Sequence, residues 1–547
     1  MLSAIYLVPL LCAPLSAAQL PAPTAPAGNP VTVSKANLGK ALFWDEQLSS
    51  TGTVSCGTCH MPETGGADPR TKDNWNPGPD GVFGTGDDVH GSGGVPLSTK
   101  TGHYLQDAVF GLSPQVTGRV APSAIGAGYS KHLFWDGRAG ETFLSPETGA
   151  IVLPSDAALE SQAVGPIMSS VEMGHIGRTW PEVVSRLQSA TPLALSGFVP
   201  TALEQWIAGR TYPQLFLEAF GTNQIDGARI GMAIATYERT LTPDQTPWDL
   251  TLSGVPIDQV LTAQEITGLL AFLDPDSGSC GTCHSMGQGP VRFTDDDFHY
   301  IGVAPQDADL GRALVTGRDR DRGSFRTPQL RNVALRGPFM HDGSLADLAE
   351  VIEFYSQGGI FDAPNKHPEI RALNLSQTLK RAIVAFMTGA LTDPRVAAGT
   401  FPFDRPSQYA DSIHEPVEFG LGTAGSGGHI PKIVAIEPPK LGVGDITLGI
   451  ENARGGALAI LLVSPADTAG GVLHSGARLY PHLPSASLQS LPALRGLGPG
   501  NGWGSLVLPV PNDPQLLGMP LFAQWVVFDQ GSNSRFAASA AIRWSWF

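Results

Sequence analysis

Two identical pentapeptides, Cys-Gly-Thr-Cys-His, stand at 56–60 and 280–284. They contain every cysteine of the chain except Cys12. A two-residue gap between cysteines suits a disulfide in an oxidising compartment, a zinc site or a redox dithiol. None of these explains why a histidine directly follows both pairs. A c-type haem does. Two thiols on one helical turn add to the two vinyl groups of the porphyrin, and the adjacent histidine then lies under the iron. On this reading Cys56, Cys59, Cys280 and Cys283 tether two haems, with His60 and His284 as proximal ligands. Each iron keeps a sixth position, filled in an electron-transfer haem and open in one that binds peroxide or oxygen. By residue type alone Met340, Met286, His90, His341 and Tyr355 are candidates to fill it.

The elements around the pentapeptides repeat. G-K-A-L-F-W-D-E-Q-L-S-S-T-G-T-V-S precedes the first and G-L-L-A-F-L-D-P-D-S-G-S the second. Each has a glycine, an apolar helical stretch reaching a phenylalanine, an acidic residue and a polar turn. We read this as an internal duplication giving two similar domains, too widely spaced for a solenoid. The expected organisation is an N-terminal haem domain over 19–250, with a long Gly/Pro/Asp loop at 64–97, and a second haem domain over 251–395. In the latter, Leu345, Leu348, Val351, Ile352 and Tyr355 share one helix face, and Gly358 and Gly359 end that helix. Leu379 to Leu391 forms a further helix. A Pro/Gly/Ser-rich linker spans 396–430. Short β-rich runs such as Leu458–Val463 and Leu521–Phe528 predict a small sandwich-like accessory domain over 431–547. The expected fold class is mainly α, two c-type cytochrome domains in tandem followed by this all-β domain.

Composition narrows the function. The chain has 547 residues, 34 Lys plus Arg against 50 Asp plus Glu, and a formal charge of −16. That balance argues against a nucleic-acid binder, which needs a basic surface. Charged residues are only 15%, with 65 glycines and 46 prolines, so long ordered loops are expected, while a hydrophobic share of 42% excludes wholesale disorder. Residues 1–18, with an apolar core at Ile5–Leu11 and small residues at Ser16–Ala18, read as a cleaved secretory signal. No later run offers a membrane span. The mature protein is expected to be periplasmic or otherwise exported.

The chain resembles the bacterial di-haem cytochrome c peroxidases and their methylamine-utilisation maturase relatives. The resemblance covers about 30–395 and leaves the β region outside. It rests on L-F-W-D-E-Q-L-S before the first pentapeptide, L-F-W-D-G-R-A at 133–139, G-P-I-M-S-S-V-E-M-G at 165–174, F-T-D at 293–295 and F-R-T-P-Q-L-R-N-V-A-L-R-G-P-F-M-H-D-G-S-L at 325–345. The resemblance implies that the N-terminal haem carries the peroxide site, with a distal Gln, Pro and Glu at steps of four and six; Gln162, Pro166 and Glu172 match. Glu172 is then the distal acid/base, because one peroxide oxygen must lose a proton and the other gain one. Trp135 matches the family's electron relay between the haems. The spacing from Trp135 to Gln162 is longer than the family usually shows, and the extra stretch around Glu141–Asp156 reads as a loop insertion beside the pocket.

The family's sixth-ligand position on the C-terminal haem, fourteen residues after the H-D-G histidine His341, is Tyr355. Ordinary peroxidases have methionine there and the maturases tyrosine; Met340 is the alternative ligand. The family also holds a calcium between the haems through an Asn in R-N-x-P, which here reads Arg119-Val120-Ala121-Pro122. A separate acidic turn at 80–88, with Asp80, Asp87 and Asp88, resembles a calcium loop without EF-hand spacing. His90 lies just beyond it as a removable distal ligand. The resemblance implies an exported peroxidase that reduces hydrogen peroxide with electrons from a small cytochrome c or cupredoxin. A maturase-like enzyme oxidising residues of a partner protein and a non-catalytic di-haem electron carrier are the rival readings.

Overall fold

The helix before the first pentapeptide runs Val33–Trp44, and that before the second runs Ala263–Leu273. Both start at a threonine whose hydroxyl accepts a first-turn amide, Thr32 from Lys35 and Thr262 from Glu265. Each helix crosses a later one of its own unit, Gly227–Glu238 in the first and Gln377–Gly389 in the second. The crossings depend on equivalent glycines. A methyl on Gly39 would overlap the Ala233 carbonyl, and one on Gly268 would overlap the Ala382 carbonyl. One turn on, Phe43 and Phe272 stand 6.4 Å from the His60 and His284 rings. The sequence duplication is therefore a duplication of packing geometry.

These contacts come from a computed structural model that describes residues 20–286 and 291–547. The segment 1–18 read as a signal, with Cys12, lies outside the described residues. Two cores surround the crossings. Leu38, Leu42, Trp44, Ile230 and Ile234 belong to the first. Leu269, Phe272, Ile383 and Phe386 belong to the second. The helix expected around Leu348 runs Leu348–Gln357, capped by Asp347 and ended by Gly358 at φ 88°. Between the first pentapeptide and residue 153 the chain is mostly loop, stitched by pairs such as Gly93–Pro96 with Pro114–Val116 and Phe143–Leu144 with Ile151–Leu153. The last pair lies within the stretch read as an insertion.

Besides a two-stranded hairpin, Asp467–His474 with Ala477–Pro481, the C-terminal region forms two larger antiparallel sheets. Three strands, Lys432–Val434, Asp445–Gly455 and Gly498–Pro509, make one. The other has Ala459–Ser464, Pro520–Phe528 and Phe536–Ser545 at its centre, with Ser487–Leu491 and Val417–Phe419 at its edges. Ile446, Leu448 and Ile450 of the first meet Leu461, Trp525 and Val527 of the second in one core.

The expected fold class needs correction. Helix accounts for 29% of the structure and strand for 21%, so the protein is not mainly α. The reason is physical. The two units carrying the pentapeptides are held by a few helices and long ordered loops, and the C-terminal sheets contribute long strands. The segment read as a linker is also structured. Gln408 donates to Ser55 and Thr58 at 2.7 Å each, the Tyr409 amide donates to Glu46, and Val417–Phe419 pairs into the five-stranded sheet. Pro and Gly here mark an ordered strap across the first pentapeptide, because its polar groups find partners on that surface.

Candidate haem sites and the cavity between them

Residues Cys56–Cys59 form one helical turn, with Ser55 at its N-cap paired to the Thr58 hydroxyl. Cys280–Thr282 forms the corresponding tighter turn. No disulfide joins these four cysteines among the described residues. Burial pushes the Cys59 and Cys280 thiols up to about 12. A redox dithiol needs a depressed thiol pKa, the opposite of the shift at Cys59 and Cys280. Both histidines are held alike: His60 Nδ1 pairs with the Gly66 carbonyl at 3.1 Å and His284 Nδ1 with the Phe293 carbonyl at 2.9 Å. With Nδ1 donating, Nε2 is left with its lone pair for a metal. Burial lowers both histidine pKa values and keeps the rings neutral.

Each pentapeptide opens into its own large cavity, of roughly 2060 Å³ at His60 and 1950 Å³ at His284, mouths included. Two further observations fit a porphyrin carrying two carboxylates. Arg326 and Arg336 line the His284 cavity, and their Nε atoms are buried without a hydrogen-bond partner among the described residues. Burial lowers both guanidinium pKa values, Arg336 to about 10. Arg326 is ion-paired to Asp296 at 3.0 Å, whereas Arg336 meets only the Gln329 and Arg331 carbonyls and has no ion pair among the described residues; a buried cation of this kind needs an anion. Haem fits the site: Cys56, Cys59 and His60 would hold one, Cys280, Cys283 and His284 the other.

The His60 cavity also collects Gln162, Pro166 and Glu172. Gln162 stands in the last turn of the short Ala158–Ala163 helix and Pro166 sits in the next turn, Gly165–Met168. The loop carrying Glu172 is gripped by Arg178, whose Nη1 donates to the Ile167 and Met173 carbonyls at 2.9 and 3.1 Å. Burial raises the Glu172 carboxyl above the ordinary range, opposed by the Ser169 hydroxyl and the Arg138 charge. Trp135 lines both cavities, its indole N–H donating to the Val120 carbonyl at 2.8 Å.

Tyr355 and Met340 both line the His284 cavity, as does His341. Tyr355 projects from the Leu348–Gln357 helix, and burial beside Cys283 and Cys280 pushes its phenol up. Met340 has φ 72°, and His341 stacks on Phe325 at 3.7 Å. Met286 packs against the second core. His90 is pinned elsewhere: its Nδ1 pairs with the Thr71 carbonyl at 2.9 Å and its ring lies tilted against Trp75 with centroids 3.8 Å apart. In the acidic turn, Asp80, Asp87 and Asp88 already accept backbone amides from Val82, Asp80 and Gly84. The place of the family's calcium-binding Asn is held by apolar Val120, whose carbonyl is occupied by Trp135. These residues do not fit a calcium site between the cavities.

Two residues of the His60 cavity were not singled out by sequence reasoning. Arg138 stacks on Phe134 at 3.5 Å and pairs with Asp136 at 3.0 Å. Glu238 is 5% exposed, and its Oε2 has no hydrogen-bond partner among the described residues. Burial pushes it up to about 8. The duplication carried a signal for it. Ala233-Ile234-Ala235-Thr236-Tyr237-Glu238 aligns with Ala382-Ile383-Val384-Ala385-Phe386-Met387 on the two glycine crossings, so an acid in one cavity stands where the other has methionine.

The family model for di-haem cytochrome c peroxidase matches residues 33–256. The chain is 30% identical to the methylamine utilization protein MauG of Methylophilus methylotrophus over 363 residues, 66% of this chain and 84% of that protein. It is 30% identical to the cytochrome c551 peroxidase of Pseudomonas aeruginosa over 331 residues, 59% of this chain and 72% of that protein. Among solved structures, a MauG-like protein associated with microbial copper homeostasis aligns with TM-score 0.49 and 26% identity, covering 71% of this chain and 96% of that one. Similarity of this extent to the two sequence relatives makes the chain a member of the di-haem cytochrome c peroxidase family of oxidoreductases.

Proposed function

We propose that this chain is an exported di-haem peroxidase that reduces hydrogen peroxide to water with electrons from a small cytochrome c or cupredoxin. The observation that carries this reading is the convergence of Gln162, Pro166 and Glu172 on the cavity of His60. When bound, the haems supply the redox chemistry. The protein's part is proton handling, electron routing and positioning. Reduction of one peroxide consumes two electrons and two protons and yields two waters. Glu172 takes the proton from one peroxide oxygen and returns it to the departing one; burial, by raising its pKa, makes the ionised carboxylate a stronger proton acceptor. Gln162 supplies an amide to orient the peroxide. Trp135, fixed by Val120 and lining both cavities, is the electron relay from the His284 side to the His60 side. A formal charge of −16 suits a basic donor protein. The test is turnover of peroxide with reduced cytochrome c by the haem-loaded chain. Turnover lost in Glu172→Gln supports the reading, and absence of turnover in the wild type removes it.

Tyr355 favours a second reading. A phenol lining the His284 cavity is the ligand type of the maturase relatives, and it points to oxidation of residues in a partner protein. A chain that consumes peroxide without oxidising cytochrome, and loses this reaction in Tyr355→Phe, would select this reading over the first.

A further inference from the structure

The geometry points to the C-terminal β domain as a buttress for the loop carrying Glu172, acting through residues 93–116. This rests on the reading of Glu172 as the distal acid/base. The segment starts and ends as a strand pair, Gly93–Pro96 with Pro114–Val116, and its intervening loop reaches out to the three-stranded sheet.

At the outer end, the loop is fastened to the sheet along its length. The Leu112 amide donates to Glu451 Oε2 at 2.8 Å, the Tyr104 amide to the Ser505 hydroxyl at 3.0 Å, and Thr447 Oγ1 to the Gly102 carbonyl at 3.0 Å. Tyr104 and Leu112, 1% and 0% exposed, share an apolar cluster with Val434. Glu451 also pairs with Lys432 at 3.0 Å, which holds its carboxylate in place.

At the inner end, the strand pair is fastened to the distal loop. Gln115 Nε2 donates to the Ser170 carbonyl at 2.6 Å. Gly94 lies so close to the Val171 carbonyl and the Glu172 backbone that any side chain there would overlap them. Val95 and Met173 share the first core. Gly93 and Gly94 themselves line the His60 cavity. A continuous run of hydrogen bonds and packed side chains therefore links the sheet to the loop on both sides of Glu172. A merely appended module would need contacts only with the outside of the haem domain; this one holds a wall of the cavity. Glu451, Ser505 and Gln115 are positioning residues for the reaction.

The test uses the full haem-loaded chain. Glu451→Ala removes the acceptor of the Leu112 amide, Ser505→Ala is the milder variant, and Val472→Ser on the exposed hairpin of the same domain is the control. Hydrogen exchange is followed by peptide. The expected result is about tenfold faster exchange at 98–113 and at 169–174 in Glu451→Ala, a smaller rise in Ser505→Ala, and none in the control. The peroxide reaction slows several-fold, its pH profile moves, and the Soret bands stay in place. Faster exchange at 98–113 with none at 169–174, in either variant, overturns the proposal. Faster exchange at both segments with an unchanged peroxide rate upholds the coupling and removes Glu172 from the chemistry instead.

Discussion

Glu172→Gln is the sharpest perturbation of the proposed chemistry. The amide keeps the size of the side chain and its place in the cavity but cannot exchange a proton. Positioned acid/base groups contribute about 10²–10⁴-fold, which at 1.36 kcal/mol per tenfold is roughly 2.7–5.4 kcal/mol of barrier. The wild-type carboxyl is raised above its ordinary value by burial. It accepts a proton only when ionised, so the rate of reaction with peroxide should rise with pH through that raised value. The variant should be slower by the stated factor and lose this limb of the profile. Stopped-flow absorbance at the Soret band, across pH and at limiting peroxide, reads both quantities. Both haems should remain bound with unchanged absorbance before mixing. A variant within about threefold of wild type, with the same pH limb, would refute the acid/base assignment.

Four further outcomes are expected. Trp135→Phe should leave both haem spectra intact and lower turnover with an external donor, while the reaction of the fully reduced protein with one peroxide keeps its rate. Tyr355→Met should raise the reduction potential of the His284 haem in a spectroelectrochemical titration, whereas Met340→Leu leaves it unchanged. Gly39→Ala should cost about 3 kcal/mol or more in urea unfolding, because its methyl meets the Ala233 carbonyl and the helix crossing must open. Glu46 is 2% exposed, burial pushes it up to about 8, and its Oε1 has no partner among the described residues. Between pH 4.5 and 8 the folded state therefore binds the proton that the unfolded state has released, and stability falls as pH rises through that window. Glu46→Gln should flatten this decline in thermal melts.

What was legible in the sequence was what is encoded locally. The haem-attachment turns, the glycine-to-phenylalanine helices before them and the Gly358 helix stop all depend on residues within a few turns of one another. Gln162, Pro166 and Glu172 were found because their steps repeat a known pattern, and the structure brings them into one cavity with His60. Helix content was overestimated because the motifs stand on short helices amid long loops, whose order comes from contacts such as His90 with Thr71 rather than from periodicity. The strap at 401–411 looked like a linker by composition, since nothing local shows that Gln408 ends beside Ser55. The link from Leu112 to Glu451 is of the same kind, two polar groups far apart in sequence whose partnership only the tertiary fold reveals. Glu238 was the avoidable omission, because alignment of the two repeats against each other exposes it.

Two tethered haems with different access are measured directly by electron paramagnetic resonance of the oxidised, haem-loaded chain. The expected spectrum holds one high-spin ferric signal, from the His60 site, and one low-spin signal, from the His284 site. Two low-spin signals that persist after partial reduction, or the signal of a single haem, would contradict it.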